Sequence, residues 1–201
     1  MTDAPALHPA CGAVVIGASA GGVEALNALL PMLPRRFRPA VVIVMHLRPT
    51  SPSLLPELFA ARCVLPVREA EDKLPVLPGH LYVAPPDYHL LVERDPDTPD
   101  GVRLALSVEP PVRFSRPSID VLFESAAVAW RERALGILLS GANDDGARGL
   151  AAIRAAGGQA WVQTPASAAV HTMPEEAIAR GAADRVMTLD DIGHHLARLI
   201  E

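Results

Sequence analysis

Apolar residues occur along most of this chain in two alternating patterns, short continuous runs and longer segments with helical spacing. The continuous runs predict strands buried on both faces, whereas recurrence every three or four positions predicts amphipathic helices. The strands predicted from such runs cover residues 13–16, 40–45, 135–139, 159–163 and 185–188. The helices predicted from the periodic segments cover residues 23–33, 54–62, 118–133, 147–156, 174–180 and 192–200.

The middle of the chain differs, because short apolar stretches are separated there by turns rich in proline and glycine. These stretches predict strands at residues 65–69, 81–84, 89–93 and 102–107, with a hairpin loop at 93–101. The whole pattern predicts an α/β fold, a doubly wound, mainly parallel sheet flanked by helices, with a small antiparallel hairpin insertion. We expect a tail over residues 1–12 and one domain over residues 13–201.

Composition and charge narrow the classes of function. The 201 residues carry a formal net charge of −5, whereas nucleic-acid binders normally have a basic excess that neutralises phosphates. Cys11 and Cys63 lie in no CxxC pair or Cys/His cluster, which predicts reduced thiols and no metal site. No secretory signal is visible, and the longest strongly apolar run, Ala40–Met45, is too short to cross a bilayer. We expect a cytoplasmic protein that binds no nucleic acid and does not insert into membranes.

Ligands of such sheets bind beyond the carboxyl ends of the strands, so the residues after each strand are the candidates for chemistry. The first strand is followed by the turn Gly17–Gly22, which contains GxSxG with Ser19 at its centre. Small neighbours let a serine hydroxyl project from a tight turn, and the following helix N-terminus can stabilise an oxyanion. A phosphate-binding turn explains this segment alone equally well, and a purely structural turn is a third interpretation.

A histidine, His46, follows the second predicted strand. A dinucleotide-binding fold would have an acidic residue there to bind the ribose hydroxyls. An imidazole one sheet position from a serine turn is suited to act as a general base, which favours the catalytic interpretation of Ser19. Among the other histidines, only His171, in a loop near the same edge, is a serious competitor.

Two aspartates, Asp144 and Asp145, follow the strand predicted at 135–139. A carboxylate at this edge could orient the histidine and stabilise the imidazolium during reaction. An Asp-Gly sequence fits a turn or a helix cap equally well, so these considerations leave the choice between the two aspartates open. The order serine, histidine, aspartate differs from the order of α/β-hydrolases, which argues against that fold despite the GxSxG motif.

Seven segments spread over nearly the whole chain resemble the catalytic domain of the bacterial chemotaxis protein-glutamate methylesterase (CheB) family. They are VVIGASAGG at Val14–Gly22, HLRP from His46, EAED at Glu69–Asp72, LPGHLYVAPPDYH at Leu77–His89, RPSIDVLF at Arg116–Phe123, LSGANDDGARG at Leu139–Gly149 and MPEEAI at Met173–Ile178. The resemblance implies a triad of Ser19 as the nucleophile, His46 as its base and Asp145 as the residue that orients the base. It thereby selects Asp145, which directly precedes a glycine, over Asp144.

The same resemblance implies hydrolysis of γ-glutamyl methyl esters on the cytoplasmic helices of chemoreceptors, with release of methanol. Some members of the family also deamidate receptor glutamines, and no metal or organic cofactor is implied. N–H groups at Ala20, Gly21 and Ala142 would hold the oxyanion. Ala20 stands where members often have threonine, and Ala142 stands where they have methionine. A backbone N–H survives both changes, whereas a side-chain contribution would be lost.

Substrate recognition and regulation are less defined by the sequence. Arg48, Arg113 and Arg116 lie in or near the predicted edge loops and could meet acidic faces of receptor helices, although solvated arginines fit equally well. The family typically carries an N-terminal receiver domain, and none is expected here. Two alternatives are a nucleotide- or phosphate-binding module that uses Gly17–Gly22 and a catalytically weak regulatory module that docks receptors. His46 counts against the first, and the intact triad counts against the second.

Overall fold

The computed structural model describes residues 11–46 and 53–199. Its strands are β1 (Ala13–Ala18), β2 (Ala40–Met45), β3 (Val67–Glu69), β4 (Leu81–Val83), β5 (His89–Arg94), β6 (Val102–Ser107), β7 (Ala134–Leu138), β8 (Gln159–Gln163) and β9 (Arg185–Met187). Its α-helices are α1 (Gly22–Leu29), α2 (Leu55–Ala60), α3 (Ile119–Trp130), α4 (Ala147–Ala155), α5 (Thr172–Ala179) and α6 (Leu189–Leu196). All the predicted elements are present, with ends that shift by a few residues.

Seven strands form one parallel sheet in the order β3-β4-β2-β1-β7-β8-β9. From β1 the chain adds β2, β4 and β3 on one side, with β3 at the edge beyond β4, and β7, β8 and β9 on the other, which is a doubly wound arrangement. Strands β5 and β6 form a separate antiparallel hairpin. The predicted fold class is therefore confirmed. No helix within the described ranges has the length and apolar character needed to cross a membrane.

Helices cover both faces of the sheet, because alternate residues of each buried strand point to opposite sides. From β1, Val15 packs in a core with α3, α4, α5 and the hairpin. Its neighbour Ile16 packs in a second core with α1, α2 and α6. Burial on both faces explains why the central strands are apolar runs without polar alternation.

Two helix ends differ from the predictions for local reasons. Helix α1 ends at Leu29 and continues as a 3₁₀ turn over Leu30–Met32, because Pro31 has no N–H to continue the α-helical ladder. Helix α6 begins at Leu189, three residues before the predicted start, because Thr188 caps it: its Oγ1 accepts a hydrogen bond from Asp191 N at 3.2 Å.

The parallel register places the ends of the three central strands side by side. Ala18 pairs with Met45 of β2, and Gly17 pairs with Leu138 of β7. The residues that follow these strands therefore emerge at one edge of the sheet. Ser19, His46 and the 140–146 loop all lie at this carboxyl edge, where ligands of such sheets bind.

Candidate active site

Ser19 sits in a tight turn between β1 and α1. Its N–H donates to Ser140 O at 2.9 Å, and Gly22 N–H donates to Ser19 O at 2.8 Å. The turn closes through Gly21, whose φ is 77° and where a Cβ would lie 2.5 Å from Ala169 Cβ. Glycine is therefore required at position 21. Ser19 itself has no positive φ, so the left-handed conformation of this turn is adopted by a glycine, which takes it up without steric cost.

The hydroxyl of Ser140 connects the Ser19 turn to the neighbouring loops. Its Oγ donates to Ala20 O at 2.7 Å and accepts from Val170 N at 2.9 Å. The N–H of Ser140 donates to the buried Gln163 Oε1 at 3.0 Å. Ser140 thus fixes the Ser19 turn against two other loops. No local sequence motif points to Ser140, because its partners lie far along the chain.

His46 contacts both Ser19 and Asp145. Its Nδ1 lies 3.1 Å from Ser19 Oγ, and its Nε2 lies 2.8 Å from Asp145 Oδ2. An ionised Asp145 accepts only, so Nε2 carries the hydrogen and Nδ1 is free to accept the serine proton. The two ring nitrogens therefore have roles opposite to those of the chymotrypsin-type triad, in which Nε2 faces the serine. The His46 side chain is 13% exposed, so the imidazole is not sealed from solvent.

Asp145 is fully buried and accepts four hydrogen bonds. Besides His46 Nε2, the donors are Ile119 N at 2.7 Å, Asp120 N at 2.9 Å and Ser118 Oγ at 2.9 Å. Both backbone donors belong to the N-terminus of α3, where the helix dipole favours a negative charge. Burial alone would raise the pKa of Asp145, but the hydrogen bonds from His46, Asp120 and Ile119 outweigh it and hold this pKa below its ordinary value.

The starts of α3 and α4 cap each other. Asp145, just before α4, accepts from the first N–H groups of α3. In return, Asp120 Oδ1 in the first turn of α3 accepts from Gly146 N at 3.0 Å and from Gly149 N at 2.8 Å in α4. Burial raises the pKa of Asp120, and the negative charge of Asp145 adds to this rise. The exchange locks the two helices together beside His46.

We expect Asp120→Ala to lower the free energy of unfolding by about 3 kcal/mol, because it leaves two buried N–H groups without an acceptor. Asp120→Asn is expected to lose about 1 kcal/mol or less, because its carbonyl oxygen can still accept and it removes a buried charge beside Asp145. Denaturant unfolding of both variants at neutral pH measures the difference. Equal losses would contradict the capping role of the Asp120 oxygen.

Asp144 has a different environment from its neighbour. Its Oδ2 lies 2.8 Å from Arg113 Nη1 and 2.5 Å from Arg180 Nη2, and its side chain is 22% exposed. The structure therefore brings Asp145, and not Asp144, to His46. Asn143 helps to make this difference, because its Oδ1 accepts from Asp145 N at 3.1 Å and turns the backbone between the two aspartates.

The three residues predicted for the oxyanion site lie around Ser19. Ala20 and Gly21 follow it in the turn, and Ala142 follows Gly141, at which a Cβ would lie 3.0 Å from Ser19 Cβ. The N–H groups of Ala20 and Ala142 donate no hydrogen bond to any other described residue. Both side chains are exposed, so these N–H groups are accessible donors beside the serine.

The remaining predicted residues lie elsewhere. Arg48 is outside the described residues. Arg116 donates through Nη2 to Asp87 Oδ1 at 2.6 Å and through Nη1 to Val108 O at 2.9 Å, so it holds its own loop together. His171 is 63% exposed and pairs with Glu175 at 2.8 Å, apart from the Ser19–His46 contact. A role of Arg48 or Arg116 in substrate binding stays a prediction.

A buried histidine that the sequence analysis gave no role supports this arrangement from behind. His89 is 1% exposed, and its Nε2 donates to Pro110 O at 3.1 Å. Its Nδ1 accepts from Ser118 N at 3.2 Å, and Ser118 Oγ in turn donates to Asp145. His89 therefore links the β5–β6 hairpin to the carboxylate that contacts His46. These partners are more than twenty residues apart, so local sequence patterns do not predict their hydrogen bonds.

A serine whose hydroxyl faces a histidine, itself bonded to a buried carboxylate, is the arrangement of serine hydrolases. Comparison with protein-family models matches residues 14–196 to the CheB methylesterase family. The match spans most of the chain, and the chain belongs to this family. The resemblance found in the seven sequence segments is thus confirmed.

Individual proteins of the same family are similar over nearly the whole chain. A putative protein-glutamate methylesterase/protein-glutamine glutaminase of Leptospira interrogans is 42% identical over 187 residues, which are 93% of this chain and 94% of that protein. A protein-glutamate methylesterase/protein-glutamine glutaminase of Rhizobium johnstonii is 43% identical over 91% of this chain, but this covers only 49% of that protein. The crystal structure of the Thermotoga maritima CheB methylesterase catalytic domain aligns with a TM-score of 0.87 at 31% identity, over 92% of this chain and 97% of that one.

Proposed function

We propose that this protein hydrolyses γ-glutamyl methyl esters on the cytoplasmic helices of chemoreceptors, and that it also deamidates receptor glutamines. The observation that carries the proposal is the hydrogen-bond chain from Ser19 Oγ through His46 to the buried Asp145. The relatives named protein-glutamate methylesterase/protein-glutamine glutaminase support both activities. The chemoreceptor as substrate follows from the resemblance to the family.

In the first half of the reaction, Ser19 Oγ attacks the ester carbonyl while His46 Nδ1 removes the hydroxyl proton. A tetrahedral oxyanion forms, and the imidazolium is stabilised by Asp145 through the Nε2–H hydrogen bond. When the intermediate collapses, the bond to the methoxy group breaks and His46 gives its proton to the leaving group. Methanol departs, and the glutamyl group stays on Ser19 as an acyl ester.

In the second half, water attacks the acyl ester while His46 Nδ1 takes a water proton. The second tetrahedral intermediate collapses with proton transfer from His46 to Ser19 Oγ, which releases a glutamate side chain. A glutamine amide enters the same sequence, with ammonia as the leaving group in place of methanol. One acyl-enzyme therefore accounts for both activities in the relatives' names.

The oxyanion of both intermediates is held by backbone N–H groups of Ala20, Gly21 and Ala142. Support comes from the position of these residues around Ser19 and from the free N–H groups of Ala20 and Ala142 among the described residues. Such donors cost no reorganisation when charge develops, and each is worth roughly 10²–10³-fold in rate. Because these donors are backbone N–H groups, the oxyanion site keeps them although alanine replaces threonine at position 20 and methionine at position 142.

The low pKa of Asp145 supports its role in this scheme. A carboxylate that stays ionised keeps the hydrogen of His46 on Nε2, which leaves Nδ1 unprotonated towards Ser19. It also offsets the positive charge that His46 gains in each half-reaction. The alternative of a phosphate-binding turn has less support, because a phosphate turn does not account for the contact between the Ser19 hydroxyl and the His46–Asp145 pair.

The test is methanol release from a chemoreceptor cytoplasmic fragment whose glutamates carry isotopically labelled methyl esters. We expect labelled methanol from the methylated fragment and ammonia from a fragment with glutamine at the same positions. A fluorophosphonate probe, which reacts with activated serines, should modify Ser19 in the same preparation. No methanol together with labelled Ser19 would mean a serine hydrolase of another substrate, and modification elsewhere would contradict Ser19 as nucleophile.

A further inference from the structure

Three apolar side chains are exposed on loops that Arg116 and Arg113 connect to one another and to Asp144. Phe114 is fully exposed, Val108 is 69% exposed and Tyr88 is 42% exposed. Tyr88 and Val108 flank the end of the β5–β6 hairpin where His89 pairs with Ser107. We call Tyr88, Val108 and Phe114 the apolar rim.

Arg116 ties the segments of the apolar rim to one another. Its Nη1 donates to Val108 O at 2.9 Å, and its Nη2 donates to the carboxylate of Asp87, the neighbour of Tyr88, at 2.6 Å. Arg116 lies two residues after Phe114 in the same loop. One guanidinium therefore holds three loop segments in a fixed relation, which makes the rim a preformed surface.

The backbone presents Phe114 outward at a conformational cost. Arg113 and Phe114 both have positive φ, 48° and 63°, a region that L-residues other than asparagine and aspartate rarely adopt. The two-residue loop is closed by hydrogen bonds between Val112 and Ser115 in both directions, at 3.1 and 2.8 Å. Phe114 is the most exposed large apolar side chain in the described part of the chain, so its ring gains no burial inside this protein. Strain without an internal contact points to an external one.

The loop that carries Phe114 is attached directly to the candidate active site. Arg113 Nη1 contacts Asp144 Oδ2 at 2.8 Å, and Asp144 adjoins Asp145, the partner of His46. A protein side chain that reaches Ser19 brings its own backbone to the carboxyl edge of the sheet, where Asp144 and the loop that contacts it lie. The arginines here are engaged by acidic groups of the same chain, Arg113 and Arg180 by Asp144 and Arg116 by Asp87. The charges of these three arginines are therefore already paired within the chain.

We propose that the apolar rim is the docking surface for the helical protein segment that bears the glutamyl ester, with Phe114 packed between apolar side chains of that segment. This inference rests on the proposed function, because the occupant is its substrate. A rigidly presented aromatic ring supplies a large contact area at a low cost in side-chain entropy, as anchors of protein interfaces do. Helices present apolar side chains at spacings of three and four residues, which form a groove for such a ring.

The test separates docking from chemistry. Phe114→Ala is expected to raise the KM for a methylated receptor cytoplasmic fragment about tenfold, with kcat within about twofold of the wild type. Hydrolysis of p-nitrophenyl acetate, which is too small to reach the rim, should stay unchanged. Phe114→Leu should recover most of the KM. The matched control is Val128→Ala, which removes a side chain that is 71% exposed near the far end of α3 and should leave the KM unchanged.

Binding measured without turnover keeps this proposal distinct from the proposed function. The receptor fragment should bind Ser19→Ala about tenfold more tightly than it binds the Ser19→Ala/Phe114→Ala double variant in calorimetry. Equal binding by the single and the double variant, or no binding by either, would overturn the proposal that the apolar rim is a docking surface. Slower hydrolysis of p-nitrophenyl acetate by Phe114→Ala would also overturn it, because the loop would then act on the catalytic groups. If the wild type released no methanol while binding still depended on Phe114, the proposed function alone would fail.

Discussion

Ser19→Ala is expected to lower methanol release from a methylated receptor fragment by a factor on the order of 10⁶, the size of loss seen when a triad serine is removed. Without the hydroxyl, His46 has no proton to abstract and no acyl-enzyme can form. Residual turnover would come from the oxyanion donors and substrate binding alone. The measurement is single-turnover release of labelled methanol.

The structure predicts that the Ser19→Ala variant loses activity while it stays folded. The only hydrogen bond of the Ser19 side chain among the described residues is the one to His46, while the turn is held by backbone groups and by Ser140. The melting temperature should therefore stay close to that of the wild type. Ser107→Ala removes a hydroxyl that, within the described ranges, accepts only from Glu109 N. It is the matched control and should retain full activity. A Ser19→Ala rate above about 1% of wild type would be incompatible with the mechanism.

Asp145→Asn is expected to lower kcat by roughly 10⁴-fold, as the same change does in chymotrypsin-type triads. The amide NH₂ can turn a donor toward His46 Nε2, which then favours the tautomer with its hydrogen on Nδ1. That hydrogen would face Ser19 and prevent the ring from accepting the serine proton. In the wild type, the two carboxylate oxygens of Asp145 accept from Ser118 Oγ, Ile119 N and Asp120 N. The amide of asparagine has only one oxygen to accept from these donors.

The neighbouring aspartate provides the control for Asp145→Asn. Asp144→Asn makes the same chemical change one residue earlier, where the carboxylate is partly exposed and pairs with Arg113 and Arg180. We expect its kcat within about twofold of the wild type and a stability loss of about 1 kcal/mol or less, because surface ion pairs contribute little. Activity losses of similar size in both variants would contradict the assignment of Asp145.

The pH dependence of stability gives a second readout for Asp145. Its pKa is lower in the folded chain than in the unfolded one, where an aspartate titrates at about 3.9. Its contribution to stability is therefore fully present above this unfolded value and is lost as the pH falls through the lower folded value. We expect the difference in unfolding free energy between wild type and Asp145→Asn to be largest near neutral pH and to shrink below about pH 4. A difference that is constant with pH would contradict the low pKa.

Most of the fold could be predicted because its signals are local. Apolar runs predicted the strands and helical periodicity predicted the helices, and the parallel sheet followed from their alternation. Where helix ends were wrong, the cause was also local: Pro31 lacks the N–H needed to continue α1, and the Thr188 hydroxyl caps the start of α6. The periodicity of apolar residues does not contain that information, because the first turn of a helix can be polar.

The candidate site could be predicted only in part. The residues around Ser19 left a nucleophile and a phosphate turn equally plausible, and Asp144 and Asp145 were equivalent in the local sequence until the family resemblance chose between them. The supporting groups Ser118, Asp120 and Ser140 were missed. They contact residues more than twenty positions away, as in the hydrogen bond from Ser118 Oγ to Asp145. Sequence patterns over a few consecutive residues do not predict contacts between such distant positions.

The sequence by itself determined the order of strands and helices, the family, and which residues capable of chemistry emerge at the carboxyl edge of the sheet. These properties depend on periodicity and on motifs within a few consecutive residues. Tertiary structure alone decided that His46 presents Nδ1 to Ser19 and Nε2 to Asp145, and that Phe114 is exposed on a loop whose Arg113 contacts Asp144. Both depend on how α3 and its preceding loop pack against the ends of β1 and β2. Helix α3 packs closely against β1, because a Cβ on Gly17 would lie 2.2 Å from Ile119 Cγ2. Only the folded chain brings these two groups into contact.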